Sequence, residues 1–383
     1  MAEFDEQSWI SYYFEHGYEY DEILHFLKDY HDYKISRSTL LRRLKMYGLH
    51  RRSGGDLPDE LLQRARNQIL ADITGPQSSN GYRAVWHSLR LKGIHVPRCL
   101  VQNLLKEVDP EGSALRRKHR LKRRTYSNPG PDYAWHVDGH DKLKPFGFPI
   151  HGAIDGYSRK VLWLKVVHSN NCPRTVANLF LDYVKNCGGC PVKLVTDLGT
   201  ENSLTAALHA YFWEDVDAHS YVPSPRNQRI ESWWSFYVKT SGAWWRNFFR
   251  QLETDGTIDM TSDLNMECLW YCFSGVIQKD LDVVKKQWNT HRIRKSRFDT
   301  VSGRPNILYF LPSRSEGEEN LKLLVPRQEL HRMTQYISII KKETDYQVYF
   351  KYAQRILQIS DPENYHEALV LYNRLIVVAV HGS

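Results

Sequence analysis

Ala134-Trp135-His136-Val137-Asp138-Gly139 lies near the middle of a 383-residue chain, and the predicted architecture is built around it. Its alternation of apolar and polar residues is typical of a half-buried β-strand. Two more acidic residues occupy comparable places. Asp197 follows the apolar run from Val192 to Val195, and Glu231 opens an aromatic-rich helix. Three separate elements thus offer one carboxylate each.

The carboxylates of Asp138, Asp197 and Glu231 are of the type that binds divalent metal ions. Phosphodiester transfer needs the attacking and leaving oxygens to be stabilised together, which two cations about 3.5 to 4 Å apart achieve. Mg²⁺ prefers oxygen ligands, and without an ion three converging carboxylates raise one another's pKa. The alternative is three unrelated surface acids among the 44 Asp and Glu residues. The local sequence around each acid favours a site.

Three motifs around these acids resemble the integrase core of retroviral integrases, insertion-sequence transposases and their eukaryotic relatives. The motifs are Trp135 to Asp138, Val195 to Asn202 and Arg226 to Trp234, and their order and spacing agree with the family pattern. The resemblance implies a ribonuclease H-like fold from about residue 131 to 311. It also implies catalysis by the Asp, Asp, Glu triad, two Mg²⁺ or Mn²⁺ ions per site, a DNA substrate and a homo-oligomer.

The chain departs from the family pattern at several positions. Leu198 and Gln228 replace an asparagine and a glycine that many members have, and Ser235 and Val238 stand where retroviral members often have DNA-gripping lysines. The form around Glu231 is similar to integrase-core genes of eukaryotic genomes. The metal ligands are retained, so the departures bear on substrate preference. Additional hydrogen bonds or DNA contacts are expected from neighbouring residues, namely Glu201, Asn202 and Arg229.

Composition indicates a folded protein with a weak preference for polyanions. The chain is 42% hydrophobic, with a net charge of +8 and a pI near 9.0. Such a balance favours nucleic acid, but many unrelated proteins share it. Six scattered cysteines indicate a reducing, intracellular location, and Cys187-Gly188-Gly189-Cys190 is predicted to be a turn between a helix and a strand rather than a metal site. Neither a membrane span nor a small-molecule substrate is expected.

The first 50 residues are predicted to form three helices, over 9–14, 21–30 and 38–47. Ser36 is a candidate N-cap and Gly48 a candidate C-cap. The third helix has a basic side that is predicted to be exposed, made of Arg37, Arg42, Arg43 and Lys45. This pattern favours a helix-turn-helix whose last helix enters the DNA major groove. A plain helical bundle with a basic face is the alternative.

A second helical unit is predicted after a linker at 51–58. One amphipathic helix runs over 81–89, and another begins at Pro97 with Val101, Leu104 and Leu105 inside. This unit resembles the helix-turn-helix that precedes the core in some bacterial transposases, so Arg98 and Gln102 are candidate DNA contacts. A basic run from 116 to 124 includes Arg116, Arg117 and Lys118. It is interpreted as a phosphate-tracking arm or a nuclear import signal, and a solvated linker is the alternative.

The core is predicted to be a mixed five-stranded sheet flanked by helices. Strands are expected near 133–139, 148–154, 161–167, 192–196 and 219–222, and helices over 174–185 and 204–213. The helix after Glu231 carries many aromatic residues, which favour packing over base stacking. In the tail a helix start at Asp361-Pro362 and a strand over Leu375 to Val380 are expected, giving a small α+β region.

The sequence predicts a DNA integrase or transposase. The expected domains are helix-turn-helix units at 1–52 and 56–112, a basic linker at 113–130, the catalytic core at 131–312, and a tail of unknown role at 313–383. A nuclear location is expected. Two alternatives stay open: a domesticated DNA-binding protein that retains the core as a scaffold, and a ribonuclease H-type nuclease.

Overall fold

The computed structural model describes residues 5–50, 57–78, 80–110, 128–222, 227–295, 301–315, 317–319, 321–337 and 343–382. The chain forms two compact units. The first comprises residues 1–131, 239–241 and 286–319, and the second comprises residues 132–238, 242–285 and 320–383. The domain boundaries given above stay predictions. The basic run at 116–124 lies outside the described residues.

The first unit opens with the three predicted helices. They are α1 (Glu6–Glu15), α2 (Tyr20–His25, continued by a π-helical turn over Phe26–Tyr30) and α3 (Arg37–Met46). Ser36 caps α3, since its Oγ accepts a 3.1 Å hydrogen bond from the Thr39 amide. Gly48 follows α3 with φ +69°, a conformation that glycine adopts without strain. Apolar side chains of the three helices form one core, which includes Ile10, Phe14, Ile23, Leu27, Leu40 and Leu44.

A second helical cluster follows in the same unit. Its members are α4 (Asp59–Thr74), α5 (Tyr82–Leu91) and α6 (Arg98–Val108). Val101 and Leu105 are buried and Leu104 is partly buried in their shared core, as the amphipathic pattern predicts. Pro97 precedes α6 as its N-cap, so the predicted helix start is confirmed.

Arg304 connects the segment at 286–319 to the first helices through hydrogen bonds and an ion pair. Arg304 Nη1 donates a 2.8 Å hydrogen bond to the Thr290 carbonyl, and Nη2 donates a 2.7 Å bond to the Gly17 carbonyl. Its guanidinium also lies 3.1 Å from a carboxylate oxygen of Glu22. The helix that follows, α12 (Pro305–Phe310), contributes Ile307 to the apolar core of α1 to α3.

The second unit contains a five-stranded mixed sheet. Its strands are β1 (Ala134–His140), β2 (Ile150–Asp155), β3 (Val161–Val166), β5 (Lys193–Thr196) and β6 (His219–Tyr221), in the order β3-β2-β1-β5-β6. The first three strands pair antiparallel, whereas β1, β5 and β6 run parallel. The predicted ribonuclease H-like sheet is confirmed.

Helices flank this sheet. They are α7 (Pro173–Cys187), α8 (Ser203–Trp213), α9 (Gln228–Tyr237), α10 (Ala243–Thr254) and α11 (Asp263–Thr290), and a π-helical turn over Val238–Gly242 joins α9 to α10. Trp233, Trp234, Trp245 and Phe249 are all buried. The interpretation of the aromatic stripe as packing is therefore confirmed for these four side chains.

The tail is more helical than expected. After the two-residue strand β7 (Leu323–Leu324), which pairs with β4 (Gly189–Cys190), come α13 (Arg327–Ile337), α14 (Asp345–Ile356) and α15 (Tyr365–His381). The prediction of a strand over Leu375 to Val380 is wrong. That stretch ends α15, which Asn364 caps and whose buried side chains are Ala368, Leu371, Tyr372 and Leu375, spaced as on one helix face. Burial of that face outweighs the β-preference of the valines.

The CxxC segment is a turn, as predicted. Cys187 ends α7, Gly188 follows with φ +76°, and Cys190 belongs to β4. Both cysteines are free thiols.

Candidate functional site

Asp138 lies on β1, on the face that α9 covers. Side chains alternate along a strand, so His136, Asp138 and His140 share that face. Trp135 points the other way and packs against Phe180. Trp234 of α9 donates a 2.9 Å hydrogen bond from its indole Nε1 to Oδ2 of Asp138. This bond fixes the carboxylate's orientation.

Asp197 follows the carboxyl end of β5, the parallel neighbour of β1. Its Oδ1 accepts a 2.8 Å bond from the Asn202 side-chain amide and a 3.2 Å bond from the Gly199 amide. Asn202 is buried, and its amide also lies 3.4 Å from Oε1 of Glu201. Asn202 therefore orients Asp197, in line with the supporting role expected of it. Leu198, the departure from the family pattern, is exposed.

Glu231 lies in the first turn of α9. The residue before this helix, Asn227, anchors it to β1. The Asn227 amide nitrogen donates a 3.0 Å bond to the Val137 carbonyl. Its Oδ1 lies 2.7 Å from His136 Nδ1, so the imidazole donates that bond. The helix that carries Glu231 is thus bonded to the strand that carries Asp138.

The charges of Glu231 and Asp197 act on the carboxylate of Asp138. Burial, followed by the negative charges of Glu231 and Asp197, raises the pKa of Asp138 to about 7. The hydrogen bond from Trp234 acts against this shift. The raised pKa of Asp138 is the behaviour expected of neighbouring carboxylates without a neutralising cation.

The donor chemistry of this cluster fits a hard divalent cation, because all three side chains offer oxygen. Within the described stretches of the chain, however, no three His, Cys, Asp or Glu side chains are grouped closely enough to hold one ion. The residue types therefore fit Mg²⁺ or Mn²⁺, although the described residues do not gather the three carboxylates around a single ion position.

The predicted DNA contacts are distributed over both units. Arg37, Arg42 and Lys45 are exposed on α3, as the helical spacing predicts. The prediction that Arg43 belongs to the exposed basic side is corrected. Its side chain is half-buried, and its Nε lies 3.0 Å from a carboxylate oxygen of Glu6. The negative charge of Glu6 compensates the positive charge of Arg43.

The other candidate contacts differ in exposure. Arg98 is exposed and Gln102 is half-buried on α6. Arg229 is half-buried, and its positive charge helps to lower the pKa of His136, after the larger effect of burial. Arg116, Arg117 and Lys118 fall outside the residues that the structure describes.

Positioning roles for Trp234, Asn227 and His136 were not predicted from the sequence. Trp234 was interpreted only as packing, and Asn227 only as part of a motif. The period-two alternation that places His136 on the same face as Asp138 is a signal that identifies it. Its bond to Asn227 has no sequence signal, because the two residues are far apart in the chain and meet only through tertiary structure.

Residues 125–311 match the integrase core domain family. The chain therefore contains an integrase core domain of the DDE superfamily, which implies binding to DNA. No curated protein matches the chain. Among the helices described, none combines the length and apolar character that crossing a membrane requires.

Proposed function

We propose that this protein is a metal-dependent polynucleotidyl transferase that cuts or joins DNA, with Asp138, Asp197 and Glu231 as its catalytic carboxylates. The observation that carries the proposal is the arrangement of the acids within an integrase core domain: α9, which carries Glu231, is bonded to β1, which carries Asp138, and Asp197 follows β5, the parallel neighbour of β1. The charges of Glu231 and Asp197 add to burial in raising the pKa of Asp138.

The reaction exchanges one phosphorus–oxygen bond for another. The hydroxyl of water or of a DNA 3′ end attacks the phosphorus, the bond to the leaving oxygen breaks, and that oxygen takes up a proton. Two bound Mg²⁺ or Mn²⁺ ions would stabilise the attacking and leaving oxygens. In this proposal Asp138, Asp197 and Glu231 would hold the ions. Trp234 and Asn202 hold the two aspartates in orientation.

Recognition of DNA is assigned to the helical clusters. The proposal gives Arg37, Arg42 and Lys45 of α3 contacts in the major groove and Arg98 and Gln102 of α6 a second set of contacts. The exposure of these side chains on α3 supports the first assignment. A nuclear location and a homo-oligomeric state are proposed from the basic run and the family resemblance.

The test compares Asp197→Asn with wild-type protein in a DNA end-joining assay in Mg²⁺. We expect joining to fall by at least about 1,000-fold because the proposed metal ligand loses its charge. DNA binding should persist. The matched control is Asp182→Asn, an exposed aspartate on α7, which should join like wild type. Equal joining by the Asp197 variant would remove the assigned role.

A second candidate is a DNA-binding protein that retains the core only as a scaffold. It is favoured by one observation: no three metal-binding side chains among the described residues are pre-grouped around a common point. Calorimetric titration with Mg²⁺ and Mn²⁺ separates the candidates. Specific footprints on DNA, with neither metal binding nor cleavage in any metal tested, would favour the scaffold.

A further inference from the structure

An open pocket of about 240 Å³ lies on the second unit. Three cationic side chains line it, from Lys142, Arg246 and Arg250, and we refer to these three residues as the basic pocket. Glu253 is the acid that also lines it, and Phe146 contributes apolar surface. The lining thus carries a net positive charge at neutral pH.

The spacing of residues on α10 explains how the arginines come together. Arg246, Arg250 and Glu253 follow one another at intervals of four and three residues, which places them on one helix face. A neighbouring face of the helix is anchored: Phe249 is fully buried and stacks on Phe146 with ring centroids 5.5 Å apart. Trp245 donates a 3.0 Å bond from Nε1 to Asp280. The helix that carries the two arginines is therefore held in place by buried side chains.

The cations of the basic pocket lack a matching set of protein anions. No carboxylate in the described part of the chain forms an ion pair with Lys142, Arg246 or Arg250. Arg246 Nε is buried and finds no hydrogen-bond partner among the residues that the structure describes. A buried donor without a partner carries a desolvation cost that an incoming oxygen would remove. An anion with several oxygens is the ligand that this arrangement suits.

The basic pocket is connected to the proposed catalytic site along the chain. Lys142 stands two residues after the end of β1 and four residues after Asp138. Between them, His140 stacks on Trp234 at a centroid distance of 4.8 Å, and Trp234 is the donor to Asp138. A polyanion bound at the carboxylates would extend naturally towards Lys142.

We propose that the basic pocket binds a backbone phosphate of the DNA strand that passes the Asp138, Asp197 and Glu231 site. The inference rests on the proposed function and extends its binding surface. Arginine presents a fork of N–H donors that matches phosphate oxygens, and the pocket is open, as the passage of a polymer requires. An acidic peptide is the competing ligand, and it becomes an outcome of the test.

The experiment measures binding of a duplex DNA oligonucleotide by fluorescence anisotropy between 50 and 300 mM NaCl, values on the order of those used to resolve counterion release. All proteins carry Asp197→Asn, so turnover does not interfere. With Arg246→Gln plus Arg250→Gln we expect at least about tenfold weaker binding. The slope of log affinity against log salt should be smaller by about 0.9 for each phosphate that the variant no longer neutralises. Glu253→Gln should strengthen binding, because it removes the opposing charge.

The matched control for a single arginine variant is Arg355→Gln, at an exposed position on α14, and the double variant is matched by Arg355→Gln plus Arg374→Gln, the second at an exposed position on α15. Thermal unfolding verifies that each variant is folded, and if the double variant is not, the exposed Arg250→Gln is used alone together with Glu253→Gln. DNA affinities and salt slopes equal to those of the matched control would overturn the proposal. So would variants that weaken binding of poly-glutamate but leave DNA binding unchanged.

The joining assay with wild-type protein tests the proposed function separately. If wild-type protein fails to join DNA while the salt slope changes as expected, the pocket binds DNA and the catalytic proposal alone fails. If joining occurs and the slope is unaltered, the pocket proposal alone fails.

Discussion

At the residue scale, Asn227 has the greatest influence on the geometry of the candidate site. It is buried, with a side chain that is 1% exposed. Its amide joins two groups of β1, the Val137 carbonyl and the His136 imidazole, to the start of the helix that carries Glu231. Buried polar groups cost free energy when they lose their partners. The residue therefore contributes both to stability and to the position of Glu231.

Asn227→Ala should lower the free energy of unfolding by about 2 to 4 kcal/mol, since it strands two buried polar groups at about 1–2 kcal/mol each. DNA joining should also fall, because the start of α9 is released from β1. Urea unfolding followed by tryptophan fluorescence measures the first effect and the end-joining assay the second.

The matched control is Asn171→Ala, an exposed residue whose side chain accepts a bond from Lys144. It should change stability by less than about 0.5 kcal/mol. An Asn227 variant as stable as this control would show that the bonds to β1 are not needed.

The limits of prediction from sequence are visible at this scale. The identity of the three acids was recognisable, because each stands in a short motif with its own local pattern. The side chains that hold these acids in position were not recognisable from the sequence. The Trp234 and Asn227 bonds to β1 join residues about 90 positions apart or more, and local periodicity carries no information about such pairs. The inward turn of Arg43 was missed for the same reason, since its partner Glu6 belongs to another helix.

At the element scale, the contact between α9 and the sheet depends on the lack of a side chain at a glycine of β2. Gly152 of β2 is the direct cross-strand neighbour of Asp138. A Cβ atom there would lie 3.0 Å from Cη2 and 3.2 Å from Cζ2 of Trp234. Glycine lets the indole lie on the sheet and reach the adjacent carboxylate without the shift of a few tenths of an ångström that a Cβ atom would require.

Gly152→Ala should displace Trp234 and weaken its bond to Asp138. We expect a loss of about 1 to 3 kcal/mol in the free energy of unfolding, typical of overpacking, and a reduced joining rate. The comparison is Gly275→Ala on α11, where nothing lies within 4 Å of the added atom. There the better helix propensity of alanine should raise stability by up to about 1 kcal/mol. If both substitutions raise stability equally, the Trp234 contact is not tight.

Element boundaries were predictable where periodicity was long and uninterrupted. The five strands of the sheet and the helices α7 and α8 were expected within a few residues of their observed ends, since apolar alternation and helical stripes are local properties. The ends of α9, α10 and α11 were not predicted. The exception at Leu375 to Val380 has a physical cause. A valine-rich run satisfies either a strand or a buried helix, and the packing of α15 decides between them.

At the scale of the whole molecule, the second unit buries several histidines in neutral form. Burial is the leading cause that lowers the pKa of His136, His140, His151, His209 and His219 to about 4. His151 is the clearest case, because it is fully buried on β2 and its Nδ1 accepts a 3.1 Å bond from Trp163 Nε1. An acceptor nitrogen cannot also carry a proton. The fold therefore requires the His151 imidazole to stay neutral.

Stability should fall as the pH drops from about 6.5, the unfolded pKa of histidine, towards 4. Over this pH window the unfolded chain takes up protons that the folded unit excludes, so the unfolded state is stabilised relative to the folded state. His151 alone accounts for a loss of about 3 kcal/mol, at 1.36 kcal/mol per pKa unit. Urea unfolding at closely spaced pH values measures the slope.

His151→Asn retains an acceptor for Trp163 but cannot titrate, so its slope should be shallower by about one proton. The exposed His366, changed to Asn, should leave the slope as in wild type. Parallel slopes for wild type and the His151 variant would show that burial does not keep this imidazole neutral.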